Sequence, residues 1–411
     1  MSTPSEVGLR FVALDVHKHY VVVAAVDEGQ HVILNPRRIE LDRFGKWANG
    51  NLYPTDVLVL EATSSAWDMY DQLRPLVGAV LVANPAKVAL IAKSRVKTDA
   101  KDALVLAGLL AAGLIPTVWV PPADVRELRG LVAHRQRLVW QRVRTRGRLR
   151  AVLLRHNLTP PSGDAFSGAN REWWHALPLS STERLRVRQD LAMLDALAPL
   201  VTEVEKEIAA CSQHERWVGQ VAYLVQLPGI GLLNAMVLLA AIGDIERFET
   251  PHQLVGYAGL GASVHVSGQT HYGGRITKQG RQDIRITMVE AAWNAVANHP
   301  HWMTEFQRLS ERVGPNKAIV AVARKLLVVV WHVLHDQEAD LHALPEKVAR
   351  KFLIWAGKLG REHRHGVTRG AFIRSELERL GFGDDLLAIN RGRKPIYLPP
   401  ARTSVNQAAA P

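Results

Sequence analysis

A single cysteine, Cys211, stands in a chain of 411 residues, so no internal disulfide can staple it. That usage suits a reducing compartment rather than a secreted scaffold. The 17 histidines include no His-x-x-x-His pair and the lone cysteine makes no Cys-x-x-Cys, so the ligand spacing of a zinc site is missing. Two long stretches carry no charge, Ala103–Ala123 and Val218–Gly243, yet neither is an unbroken apolar span. The first contains Gly108, Gly113, Pro116, Pro121 and Pro122, and the second is split by Pro228-Gly229-Ile230-Gly231. Turn formers at those places exclude a lipid-facing helix of about 20 residues. The first residues also lack the basic-then-apolar order of a secretory signal. The expectation is a cytoplasmic protein with no membrane partner.

Charge balance is missing too. Lysine and arginine number 51 against 39 aspartate and glutamate, a net charge of +12, which points to a polyanionic partner and a nucleoid-associated location. The bias is sharpest between Arg135 and Arg155, where Arg135, Arg137, Arg142, Arg144, Arg146, Arg148, Arg150 and Arg155 occur without one acidic residue. A solvated helix normally mixes both signs, so this run reads as a nucleic-acid surface. Trp140 within it suits a base stack or, more simply, core packing.

The chain's length allows two or three domains with real cores. Residues 9–120 alternate strand and helix signals: strands near 9–15, 19–27 and 30–35, a helix near 40–49, a strand ending at Glu61, a helix near 65–77, a strand Ala79–Ala83, a helix after Pro85 and another from Asp99 to Ala112. That order gives an α/β layer with a mixed sheet, the arrangement of an RNase H-like fold over residues 1–120. Residues 121–215 read as a helical hairpin or coiled-coil linker. Leu128, Leu131, Leu138, Leu149 and Leu153 mark one helix, and Leu191, Leu194, Val201, Val204 and Ile208 a second, kinked at Pro199. A Pro/Ser/Gly-rich loop, Thr159–Asn170, lies between them. Residues 216–330 form a second compact, mostly helical unit. Residues 331–411 read as a polar, basic extension, partly disordered, with Arg391-Gly-Arg-Lys-Pro and the last ten residues ordered only on a partner.

Four acidic residues stand where apolar residues are expected. Asp15 interrupts Phe11–Val16, Glu61 ends the run Val57–Leu60, and Asp99 and Asp102 open a helix at i, i+3 spacing, which places both on one face. Carboxylates gathered at such places repel unless a cation neutralises them, and Mg²⁺ prefers hard oxygen ligands. Taken one at a time, Glu61 is explained as a strand end and Asp99 as a helix-dipole partner. The coincidence of all four favours a Mg²⁺ site acting on nucleic acid. Asp27, Asp56, Asp68 and Asp71 read as solvated.

Two glycine-bearing segments follow. In Leu227-Pro228-Gly229-Ile230-Gly231, Gly229 and Gly231 let backbone N–H groups approach a phosphate, as in a helix-hairpin-helix; a tight helix–helix turn with no ligand is an equal reading. In Ser263-Val-His-Val-Ser267-Gly268-Gln269 and the stretch to Arg281, glycines flank a basic cluster and suggest an exposed loop. Ser267 can present its hydroxyl to a phosphate balanced by Arg275, Lys278 and Arg281, or it is only a turn former.

The blocks Ala13-Leu-Asp15-Val-His-Lys18, Leu60-Glu61-Ala-Thr63 and Lys97-Thr-Asp99-Ala-Lys-Asp102-Ala103 resemble the DEDD transposases of bacterial insertion sequences, the family guided by a bridge RNA. Pro228-Gly-Ile-Gly231, Tyr257-Ala-Gly-Leu260 and Arg275-Ile-Thr-Lys-Gln-Gly280 resemble its second half. The resemblance implies an RNase H-like (RuvC-like) domain, a helical linker and a mostly α C-terminal transposase domain. It implies Mg²⁺ on Asp15, Glu61, Asp99 and Asp102, and a serine nucleophile, Ser267, that forms a transient phosphoserine link to DNA. It also implies donor and target DNA, a bridge RNA, and a homo-oligomer, dimer or tetramer, in which the two centres meet. Gln269 stands where the family has a second glycine, and Ser263 is an alternative nucleophile. Two other functions compete: a Holliday-junction-resolvase-like endonuclease that uses water as nucleophile, and a non-enzymatic packaging or regulatory protein.

Overall fold

The structure, a computed structural model, describes residues 9–91, 98–267, 270–391 and 394–401, with the side chains of 264–267, 270–275 and 391 left out. The chain divides into two compact units, Met1–Pro122 and Ala123–Pro411.

The first unit is a mixed sheet with helices on both faces. Its elements are β1 (Phe11–Val16), β2 (Tyr20–Val26), β3 (Val32–Glu40), α1 (Leu41–Asn51), β4 (Val57–Glu61), α2 (Ala66–Leu73), β5 (Ala79–Ala83), α3 (Pro85–Ile91) and α4 (Asp99–Ala111). The sheet order is β3-β2-β1-β4-β5; β1, β2 and β3 pair antiparallel, while β4 lies parallel to both β1 and β5. This arrangement is compatible with an RNase H-like fold. Because strand side chains alternate, each strand serves two cores. Val12, Leu14, Leu58 and Leu60 pack with Phe44 of α1 and Met69 of α2, whereas Ala13, Val59 and Ala83 pack with Leu106, Ala107 and Leu110 of α4. β3 is one of the two edge strands, and Pro36 together with mostly exposed side chains blunts it against further pairing. Asp56 is not solvated as its sequence context suggested. It is fully buried and receives both Nε and Nη2 of Arg10, at 2.7 and 2.6 Å.

The second unit opens with α5 (Ala123–Arg155), α6 (Arg171–His175) and α7 (Ser181–Cys211). Ion pairs Arg135–Glu205, Arg148–Asp190 and Arg155–Glu183 run in opposite order along α5 and α7, so the two helices form an antiparallel hairpin. Pro199 sits inside α7, which continues through it. The Pro/Ser/Gly-rich segment between them is held by its own core. Phe166 stacks near Trp174, whose indole donates to the Ala165 carbonyl at 2.8 Å.

Next come α8 (Glu215–Val225), α9 (Leu232–Ile242), α10 (Pro251–Tyr257), a hairpin of β6 (Ala262–Ser267) and β7 (Thr270–Ile276), α11 (Gln282–Asn298), α12 (Pro300–Val313) and α13 (Pro315–His335). The basic segment expected as an exposed loop is therefore largely paired strand, since Val264-His-Val266 alternates. α13 is long and apolar enough to cross a membrane, but it carries Lys317, Arg324 and Lys325 and buries Val322, Leu326 and Val330 among its neighbours.

The C-terminal segment corrects the expected polar extension. α14 (Pro345–Leu359), α15 (Arg369–Leu380) and a hairpin of β8 (Ala388–Arg391) and β9 (Lys394–Tyr397) fold over a buried core of Phe352, Trp355, Ile373 and Leu377. Trp355 Nε1 donates to Ser212 Oγ at 2.9 Å. The buried Arg374 donates to the carbonyls of Gly383, Leu386 and Pro399 at 2.7, 2.5 and 2.8 Å. Residues 392–393 and 402–411 lie outside the described residues.

Candidate functional site

The strand alternation that builds the first unit also builds its site. Phe11, Ala13 and Asp15 share one face of β1, and Val57, Val59 and Glu61 share the same face of the parallel neighbour β4. On α4 the residues Ala103, Leu106, Ala107 and Leu110 form the stripe laid on that face, and Asp99 and Asp102 begin the stripe one turn earlier. All four predicted acids therefore lie at one end of one sheet face. Thr98 caps α4, its side chain accepting from Lys101 N–H, and the positive end of the helix favours Asp99 and Asp102 in its first turn.

The group brought closest is Asp15, Asp99 and His17, whose ligand atoms all lie within 4.8 Å of one another. His17 Nε2 is 3.0 Å from Asp15 Oδ2 and 3.5 Å from Asp99 Oδ2. Burial pushes the Asp15 carboxyl above its ordinary value; His17 pulls it back, and the like charges of Asp99 and Asp102 add to the rise. Tyr20, at the start of β2, donates its hydroxyl to Asp99 Oδ2 at 2.9 Å, and that bond holds the phenol protonated above its usual range. The ring is clasped between His17, stacked at 4.6 Å, and the Arg38 guanidinium, 3.8 Å from its centroid.

This donor set fits a divalent cation. Two carboxylates and an imidazole converge, and a positive charge beside the half-buried Asp15 would offset the burial that raises its carboxyl. His17 follows the last residue of β1 and carries no signal among the acidic positions, although it stands two residues from Asp15. Tyr20 carried no sequence signal at all.

The other predicted residues divide. Gly229 (φ +80°) lies where a Cβ would come within 2.0 Å of the Ala291 carbonyl oxygen, so this glycine is required by the close approach of α11. Gly231 has open space around it and caps α9 without a side-chain bond. Arg135 is bound to Glu205 at 2.7 Å and Arg146 to Asp164 at 3.3 Å. Among the described residues no ion pair is formed by Arg137, Arg142, Arg144 or Arg150, although Arg150 lies 5.5 Å from the Phe166 ring centroid. Trp140 beside them is 46% exposed, so it does not serve the core.

Arg281 is held by Asp283, and its backbone N–H donates to Tyr257 O at 2.8 Å; Lys278 is exposed. A Cβ on Gly280 would reach within 2.2 Å of that same Tyr257 oxygen, so two of the motif blocks are packed directly on each other. The backbone of Ser267 ends β6, but its side chain and that of Arg275 lie outside the described residues, as do Gly268 and Gln269.

Comparison with known proteins agrees with these blocks. The DEDD transposase family of IS110 type matches residues 12–158, and the transposase IS116/IS110/IS902 family matches residues 221–308. The chain is 25% identical to the transposase for insertion sequence element IS1111A of Coxiella burnetii, over 80% of this chain and 91% of that protein. It is also 25% identical to a pilin gene-inverting protein of Moraxella bovis, over 71% of this chain and 84% of the other.

Proposed function

This chain belongs to the IS110 family of DEDD transposases, and from that premise we propose that it is a Mg²⁺-dependent recombinase that cuts and rejoins DNA to move its own element. The observation that carries the reading is the convergence of Asp15 and Asp99, with His17, at the end of a sheet face shared by Glu61 and Asp102. Asp15, Glu61, Asp99 and Asp102 would hold the cation. A divalent cation there supplies neutralisation of the attacked phosphate and of the departing oxygen.

The chain's own groups do the rest. Tyr20 fixes one Asp99 oxygen by its hydroxyl, so the carboxylate keeps one orientation. His17 does the same for Asp15. Ser267 Oγ forms an ester bond to the phosphorus while the bond to the strand's departing oxygen breaks, and the serine proton ends on that oxygen. Attack by a hydroxyl of the second strand then reverses the step, rejoining DNA and restoring serine.

Donor and target DNA are held through phosphates by Arg137, Arg142, Arg144 and Arg150. The net charge of +12 serves the bridge RNA equally well. Guidance by that RNA and assembly into a dimer or tetramer rest on the family. The division of the N-terminal part into a RuvC-like domain, with a helical linker and a transposase domain behind it, follows the same source.

The test is a trapping assay with purified full-length protein, Mg²⁺, guide RNA and end-labelled DNA, resolved under denaturing conditions. A labelled protein–DNA adduct that disappears in Ser267→Ala and in Asp15→Asn is the expected result. Free cleaved ends with no adduct, unchanged in Ser267→Ala, would replace this reading by hydrolysis with water.

A further inference from the structure

Against the α8–α9 turn the second unit carries a cavity of about 460 Å³ that the proposed chemistry does not use. Its wall is made by Gln226 and the Pro228–Gly231 turn, the end of α11, and one face of α14. Lys347, Lys351, His299 and His342 line it, and no aspartate or glutamate does. Concave surfaces of one charge sign focus the opposite charge.

Buried polar atoms at and behind the wall lack partners: Gln226 Nε2 and His299 Nδ1, and behind Gln226 the Asp340 Oδ2 oxygen. Gln226 is 2% exposed, and its Oε1 accepts from the Asp340 backbone N–H at 3.1 Å. That bond fixes the amide so that the NH₂ end is the free one, and Nε2 has no partner. The buried His299 binds the His342 carbonyl through Nε2 at 2.9 Å and leaves Nδ1 without a partner. Lys351 Nζ donates to Leu227 O at 2.5 Å and Lys347 Nζ to Asn298 O at 2.6 Å, so each ammonium meets a neutral carbonyl. Burial without a counter-charge pushes the Lys351 ammonium down to about 7. At the same wall α9 begins at Gly231 with no side-chain cap, leaving its first-turn N–H groups without a side-chain acceptor. An apolar occupant would leave Gln226 Nε2 and the first-turn N–H groups of α9 unmet, and Lys347 and Lys351 disfavour a cation.

We propose that this cavity, between the Pro228–Gly231 turn and Lys347 and Lys351 of α14, binds a phosphate of a nucleic-acid strand. Gln226 Nε2, the two ammonium groups and the α9 N-terminus are its donors. This deepens the recombinase reading and rests on it for the identity of the polyanion. Lys347, exposed at the surface, meets the strand first, and Lys351 and Gln226 lie deeper.

The experiment is fluorescence anisotropy of a short labelled DNA duplex with the full chain across a KCl series. Inorganic phosphate is titrated separately and followed by thermal melting. Lys347→Gln and Lys351→Met are each expected to weaken binding about three- to tenfold and to lower the slope of log affinity against log salt by about 0.9, whatever the duplex sequence. Gln226→Glu, which puts a carboxylate in place of the amide, is expected to act in the same direction. Lys347→Gln carries the test if Lys351→Met fails to fold, because Lys347 is exposed. Unchanged slopes in folded variants would overturn the proposal. So would stabilisation by inorganic phosphate combined with unchanged slopes, which would assign the cavity to a free anion. Loss of recombination in Asp15→Asn reports on the acidic site and loss of slope in Lys347→Gln on the cavity, so the two readings fail independently.

Discussion

Tyr20 and Asp99 are separated by 79 positions in the chain and joined by a 2.9 Å hydrogen bond from the phenol to Oδ2. The bond ties the first turn of α4 to the start of β2. It also leaves the second Asp99 oxygen as the freer one for a cation. Removing it with Tyr20→Phe is expected to weaken Mg²⁺ or Mn²⁺ affinity by about 10- to 100-fold with the fold intact. Isothermal titration of the purified chain with either ion checks this. Unaltered affinity would make Tyr20 a packing residue only.

Asp15 gives a pH signature. Its carboxyl titrates above the ordinary value in the folded chain, so the folded state holds that proton more tightly than the unfolded state does. Ionising Asp15 therefore costs stability as pH rises through the folded value, and the cost is absent below the unfolded value. In EDTA, Asp15→Asn is expected to melt about 2 °C higher than the parent at pH 8, with the gap closing as pH falls towards the unfolded value. Added Mg²⁺ is expected to raise the parent's melting temperature and not the variant's. A variant destabilised at pH 8 would show that the carboxylate is structurally paired rather than strained.

The α8–α9 turn separates a structural glycine from a permissive one. Gly229→Ala drives a methyl into the Ala291 carbonyl at a positive φ, and a loss of about 3 kcal/mol or more in urea unfolding is expected. Gly231→Ala meets open space and is expected to cost about 1 kcal/mol or less. Equal costs at both positions would contradict the packing seen here.

Arginines on α5 are predicted to split into two classes. Arg135→Ala breaks the half-buried pair with Glu205 and is expected to lower stability while leaving the salt dependence of DNA binding unchanged. Arg142→Ala and Arg150→Ala are expected to do the reverse, each lowering the salt slope by about 0.9. Anisotropy titrations in parallel with melts distinguish the classes.

Much of the first unit was legible because its signals are local. Valine-rich apolar runs mark β1, β2 and β4, and the stripe that starts at Asp99 marks α4 and its face. Glu61 and Asp15 could be paired because parallel neighbours keep their faces in step. What was not legible depended on distant partners. Asp56 read as solvated because Arg10 lies 46 positions away. The arginine run of α5 read as unpaired because its acids come from α7 and from Asp164. The C-terminal core was hidden by a polar average over the segment, although Val348, Phe352, Trp355 and Leu359 recur at helical spacing. His17 is not legible because it stands outside the acidic pattern, and the β6–β7 hairpin because glycines lie between its strands and within β7.

The most direct test of the central claim is junction PCR for excised circles in cells carrying the gene with its native flanks, comparing the parent with Asp15→Asn and Ser267→Ala. A carboxylate site working with a serine nucleophile predicts circles in the parent and none in either variant. Circles at parental level in Asp15→Asn would contradict it.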